Sequence, residues 1–181
     1  MNATRFLRAE EIDAAIEEVS RLAAAAGVRV ALAGGCAMQL HGSPRLTVDV
    51  DVVAAKPIRG LRRLEPLTFG GHTSLTSAGT IVDVLICDTE YEAAFSDALI
   101  HATRVPKVPM RVVRTEHLAI LKMIARRGKD QLDLAWLITN DKLDIPKTHR
   151  AIRKLLGGQY AVDDFEAFAA EARWRRDTGR E

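Results

Sequence analysis

The chain is poor in the features of a disulfide scaffold, a membrane anchor or a nucleophilic hydrolase. It has only two cysteines among 181 residues, Cys36 and Cys87, too few for a disulfide framework and without metal-ligand spacing, so a reducing compartment is expected. No apolar run approaches the ~20 residues that cross a bilayer. Residues 1–11 lack the uninterrupted apolar core of a signal peptide, and the expectation is a cytoplasmic protein with no membrane partner. The five histidines form no metal-binding pattern; His41 and His72, beside glycine turns, read as surface residues. No Ser-His-Asp or Cys-His set stands out, which leaves nucleophilic hydrolysis without support. Internal repeats and low-complexity segments are also missing.

What remains has the balance of a globular chain, 48% hydrophobic and 28% charged, long enough for one domain or a domain with a helical appendage. The net charge of +2 is unevenly spread: residues 1–103 hold nine Lys+Arg against thirteen Asp+Glu, and residues 104–181 hold seventeen against eleven. An acidic half followed by a basic one suits a metal on one side and a polyanion on the other, although arginines on solvated helices produce the same count.

Periodicity predicts a helix over 9–26, a short strand over 29–33, a helix over 36–41 and a strand over 47–54. Residues 57–66 read as irregular or briefly helical. Strands are expected over 67–69, 73–76 and 80–87, a helix over 91–99, and β-type segments over 100–105 and 110–113. Helices then follow over 115–127, 130–139 and 146–156, and a last one is marked by an Asp163/Glu166 capping box and by Phe165, Phe168 and Trp174. Trp136 and Trp174 read as core. The expected layout is an α+β core over 1–114 and a C-terminal helical bundle over 115–181 packed on it.

The chemistry concentrates between Ala33 and Asp51. Gly34-Gly35 ends an apolar run and opens a helix, where free N–H groups and a positive dipole end suit a phosphate. Thirteen residues separate Gly35 from Asp49, and Asp49-Val50-Asp51 alternates on a strand, so the two carboxylates share a face roughly 7 Å apart while the valines face a core. Two anions so placed repel unless a cation intervenes, and a hard divalent ion, Mg²⁺ above all, fits carboxylate oxygens. Asp83, inside the apolar run Ile81-Val82-Asp83-Val84-Leu85, is costly to bury unless paired or metal-bound. A neighbouring strand would bring it beside the first two. Asp88 reads as a turn residue and Asp133 as solvent-facing. Lys122, at the edge of an apolar helix face, is either a point charge for a polyphosphate or a lysine whose stem packs while its head reaches water. Asp130 either orients it or caps the following helix.

Together these elements resemble the nucleotidyltransferase superfamily that includes DNA polymerase β, whose signature is a glycine pair before a helix, an Asp-x-Asp strand and a third acid on a later strand. With Ala37, Gly42, Arg45 and Thr47 included, the motif is similar to the small bacterial nucleotidyltransferases of the AbiEii/AbiGii toxin type, which also carry a lysine-bearing helix and a following basic-Asp pair, here Lys122 and Lys129-Asp130. The resemblance implies a minimal nucleotidyltransferase core, a short mixed sheet with flanking helices. It also implies two Mg²⁺ held by Asp49, Asp51 and Asp83, and a nucleotide (ATP or another NTP) contacted by Gly34, Gly35, Arg45, Thr47, Lys122 and Asp130. The implied reaction moves a nucleotide to an acceptor hydroxyl, such as a tRNA 3′ end met by Arg126, Arg127, Arg150, Arg153 and Lys154, with a cognate antitoxin as protein partner. A small acceptor such as an aminoglycoside, or a non-catalytic binding role, stays open. The second motif position is Gly35 where many members have serine, and the Arg-Asp pair of the CCA-adding enzymes is replaced by Ala37-Met38-Gln39.

Overall fold

The computed structural model describes residues 5–68, 70–86 and 89–179, so Phe69, Cys87 and Asp88, together with the ends of the chain, lie outside the described residues. Two compact units divide at residue 114: Met1–Arg114 and Thr115–Glu181. Each is taken by itself.

The first unit is mixed α/β. Its elements are α1 (Ala9–Ala25), β1 (Val30–Leu32), α2 (Gly34–Leu40), β2 (Val50–Ala54), β3 (Arg62–Pro66), β4 (Gly71–Leu75), β5 (Ile81–Leu85), α3 (Glu92–His101), β6 (Thr103–Arg104) and β7 (Arg111–Val112). The seven strands form one sheet in the order β3-β4-β5-β2-β1-β7-β6. β2 runs parallel to β5 and β1 parallel to β7, and the other pairs are antiparallel. α1 buries Ala15, Ile16, Val19 and Ala23 at helical spacing. Its first turn is closed by Glu11, whose carboxylate accepts the Arg8 N–H at 2.9 Å. In the central strands Val50, Val52, Val82 and Val84 are fully buried, which commits one face to the core and leaves the alternate residues, Asp51 and Asp83, on the other.

Several sequence expectations change. Residues 62–66, read as irregular, are an edge strand whose every residue is exposed. Of the segment 67–69, read as a strand, Leu67 lies outside any strand and Thr68 is in a turn, while Phe69 is outside the described residues. The helix α2 begins two residues early, at Gly34, and β2 begins three residues late because Asp49 sits in a bend. There the Asp49 carbonyl accepts the Thr47 hydroxyl at 3.1 Å and the Cys36 thiol at 3.7 Å. His72 is a core residue, 2% exposed; burial first, and the nearby Arg63 charge second, lower its pKa, so it sits neutral among valines. His41 is half-buried with its ring Nε2 2.9 Å from the Val113 carbonyl.

Among its described residues the second unit has four helices: α4 (Thr115–Ala125), α5 (Gly128–Thr139), α6 (Ile145–Leu155) and α7 (Gln159–Thr178). α6 is capped by Asp144, which accepts the Lys147 N–H at 3.0 Å, with Pro146 in the first turn. α7 starts at Gln159 behind Gly158, whose φ of +85° only glycine adopts readily. Asp163 is therefore inside the helix and accepts from Gln159 at 2.7 Å instead of capping it. Phe165 is core at 1% exposure, whereas Trp174 is 51% exposed and Trp136 half-buried.

Candidate metal centre

Strand register assembles the site. Asp51 on β2 stands directly opposite Asp83 on the parallel β5. Asp49, just before β2, completes the group, and the three side chains bring carboxylate oxygens within 4.8 Å of one another. Asp49 is 9% exposed and the other two are half-buried. The site is a carboxylate triad.

Each acid is held by a donor of the same unit. The Gly35 N–H points to Asp51 Oδ2 at 3.4 Å. The Thr47 hydroxyl reaches Asp49 Oδ1 at 3.1 Å, and the Thr73 hydroxyl donates to Asp83 Oδ1 at 2.7 Å. The adjoining thiol of Cys36 donates to the Asp49 carbonyl and does not compete as a metal ligand. Burial first, then the negative charges of Asp51 and Asp49, pushes its pKa up to about 12. An all-carboxylate donor set with no thiolate or imidazole among the three fits a hard divalent cation and not a soft one.

The glycine pair has a structural reason of its own. Gly34 has φ +53°, and a Cβ built there would lie 1.7 Å from Asp51 Oδ2; one on Gly35 would lie 2.5 Å from Thr47 Oγ1 and 3.2 Å from Arg45 Nη2. The space left by the missing side chains is filled by Asp51, Thr47 and Arg45, so the turn is moulded around the first acids. A serine at position 35 would meet Thr47. Gly34→Ala should therefore cost about 1–2 kcal/mol from backbone handedness alone, and displace the Asp51 carboxylate besides. The expected result is a melting temperature several degrees lower with weakened Mg²⁺ binding; a variant melting and titrating as the parent would contradict this packing.

Lys122 and Asp130 belong to the second unit, where they form a buried ion network. Lys122 Nζ is 2.8 Å from Asp130 Oδ1 and 2.7 Å from Asp133 Oδ2, with exposures of 7%, 0% and 3% for Lys122, Asp130 and Asp133. Asp133, read as solvent-facing, is thus a buried partner. Asp130 also takes Arg127 Nε at 2.6 Å and the Arg127 backbone N–H at 3.3 Å, so it both orients the lysine and closes the first turn of α5. The members that sequence reasoning missed are Thr73 and Asp133. Thr73 becomes visible only through its cross-strand pairing with Asp83, and Asp133 only through its i, i+3 spacing from Asp130.

No family model matches the sequence, and no curated protein does. Among solved structures, an antigenic nucleotidyltransferase-like protein from Paracoccidioides brasiliensis is similar at 17% identity over 92% of this chain and 95% of that one, with a TM-score of 0.48. The solution structure of the antibiotic-resistance factor ANT(2'')-Ia is similar at 15% identity over 90% and 91%, TM-score 0.44. The crystal structure of ANT(2'')-Ia in complex with adenylyl-2''-tobramycin gives 16% over 90% and 97%, TM-score 0.45. These are loose likenesses of shape.

Proposed function

We propose that this chain is a metal-dependent nucleotidyltransferase acting on an NTP and an acceptor hydroxyl, taken here as an RNA 3′ end. The observation that carries the reading is the convergence of Asp49, Asp51 and Asp83 within 4.8 Å, from adjacent strands, beside a glycine turn. Asp49, Asp51 and Asp83 would hold divalent cations, Mg²⁺ first among them, which would supply positive charge to a triphosphate and favour the deprotonated acceptor. Asp51 and Asp83 present their carboxylates from neighbouring parallel strands, Asp49 closes the third side, and the buried valines behind them keep the three from moving apart. In the balanced reaction the acceptor oxygen bonds to the α-phosphorus and the bond to the β-phosphate bridging oxygen breaks. Pyrophosphate leaves, and the acceptor proton passes to a carboxylate of the cluster. The choice of RNA rests on the basic balance of residues 104–181. Arg45 and Thr47, packed against Gly35, remain the nucleotide contacts of this unit that we propose from the motif.

Incubation with each α-³²P-labelled NTP, Mg²⁺ and total RNA should place label on RNA and lose it on chelation. Label on an added aminoglycoside instead would move the acceptor to a small molecule. Label on neither, with Asp49→Ala indistinguishable from the parent, would reduce the chain to a binding module.

A further inference from the structure

Two hydroxyls, rather than the carboxylates alone, set how well this site takes a cation. We infer that Thr73 and Thr47 are positioning residues of the carboxylate triad, each fixing the oxygen that its aspartate turns toward a divalent ion; this rests on the reading of Asp49, Asp51 and Asp83 as a metal centre. Thr73 is the cross-strand partner of Asp83, and its hydroxyl donates to Asp83 Oδ1 at 2.7 Å. The neighbouring residues on β4, His72 and Ser74, point the other way into the core at 2% and 0% exposure, so the pleat puts Thr73 on the acidic face, between Gly71 and Leu75. Thr47, in the loop before β2, stands in the same relation to Asp49. It is 1% exposed and its hydroxyl lies 3.1 Å from both the carbonyl and Oδ1 of Asp49. It is wedged against the bare Cα of Gly35, where a Cβ would come within 2.5 Å of Oγ1.

Three carboxylates confined this closely repel one another, so what holds each in place decides how ready the group is for a cation. A carboxylate has about four acceptor positions over two oxygens, so a hydroxyl bound to one oxygen pins the group while capacity for a cation remains. Outer partners of metal-ligating carboxylates are worth about 10- to 100-fold in metal affinity. Asp51 accepts a backbone N–H, whereas Asp49 and Asp83 each accept a threonine hydroxyl that a substitution can remove without touching the main chain.

The test is direct titration of the whole chain with Mn²⁺, read by electron paramagnetic resonance, and with Mg²⁺ by calorimetry, both without nucleotide. Thr73→Val keeps shape and removes the hydroxyl; it should weaken Mn²⁺ and Mg²⁺ binding about tenfold or more while the metal-free melting temperature stays near that of the parent. Thr73→Ser should restore the affinity. Thr47→Val should act alike; because Thr47 is buried, Thr47→Ser separates packing from hydroxyl loss. Parental affinity in Thr73→Val, or a loss that serine does not rescue, overturns the inference while leaving the metal centre intact. A parent chain that binds neither ion, or binds it equally well as Asp51→Asn, overturns the metal reading and the inference with it.

Discussion

Asp51→Asn should lower nucleotidyl transfer by about 10³-fold or more while leaving the fold intact. Asp51 stands opposite Asp83 in the strand register, and its carboxylate accepts the Gly35 N–H. Asparagine preserves shape and can still accept that bond. What disappears is one full negative charge among three acids confined within 4.8 Å. Cations at such centres supply several kcal/mol of transition-state stabilisation, and about 4 kcal/mol corresponds to about 10³ in rate. In the absence of metal the same change relieves like-charge repulsion, so the melting temperature should hold or rise slightly. Label transfer in the presence of Mg²⁺, alongside a thermal melt in chelator, checks both halves. Activity within tenfold of the parent would mean that the chemistry does not pass through this cluster.

Lys122→Met should destabilise the second unit by about 3–5 kcal/mol, the usual consequence of removing one partner from a buried ion pair. Asp130 would retain Arg127, but Asp133, 3% exposed, would lose the ammonium 2.7 Å away. Adding Asp133→Asn should recover part of the loss, because a buried neutral amide is cheaper than a buried carboxylate that has lost a counter-charge. Both tryptophans of the chain, Trp136 and Trp174, lie in this unit, so their fluorescence during urea unfolding reports on it specifically. The pH dependence follows from Asp130. Burial pushes its pKa up, but the hydrogen bonds from Arg127 and Lys122, together with their charges, outweigh that and hold it below the ordinary aspartate value. The unfolded chain therefore takes up the proton first on acidification. This group's contribution is complete above the unfolded pKa of about 4 and is lost as pH falls further, through the depressed folded value. An unfolding midpoint in Lys122→Met equal to that of the parent at pH 7 would refute the network's role.

The core of the site was legible because its logic is local. Asp49-Val50-Asp51 states its geometry through alternation, and Asp83 stands out as a charge inside an apolar strand. Edge strand β3 was not legible: Arg62-Arg63-Leu64-Glu65-Pro66 buries nothing, so no alternation marks it, and charge and proline on an edge guard against further pairing. Trp174 was misplaced because nine residues at about 100° each carry it to the side of α7 opposite the buried Phe165. Thr73 escaped notice for a different reason. Its importance lies in a pairing between two strands, and register across a sheet is not written in either strand alone.

The parallel pairing of β2 and β5 also makes the site a check on its own folding. A slip by one residue between the two strands would set Val82 or Val84 opposite Asp51 and drive Asp83 into the valine core. The misregistered chain would lose its third acid and bury a lone charge in the same stroke, so the apolar alternation that makes the sheet cohere is also what proofreads the arrangement of its carboxylates.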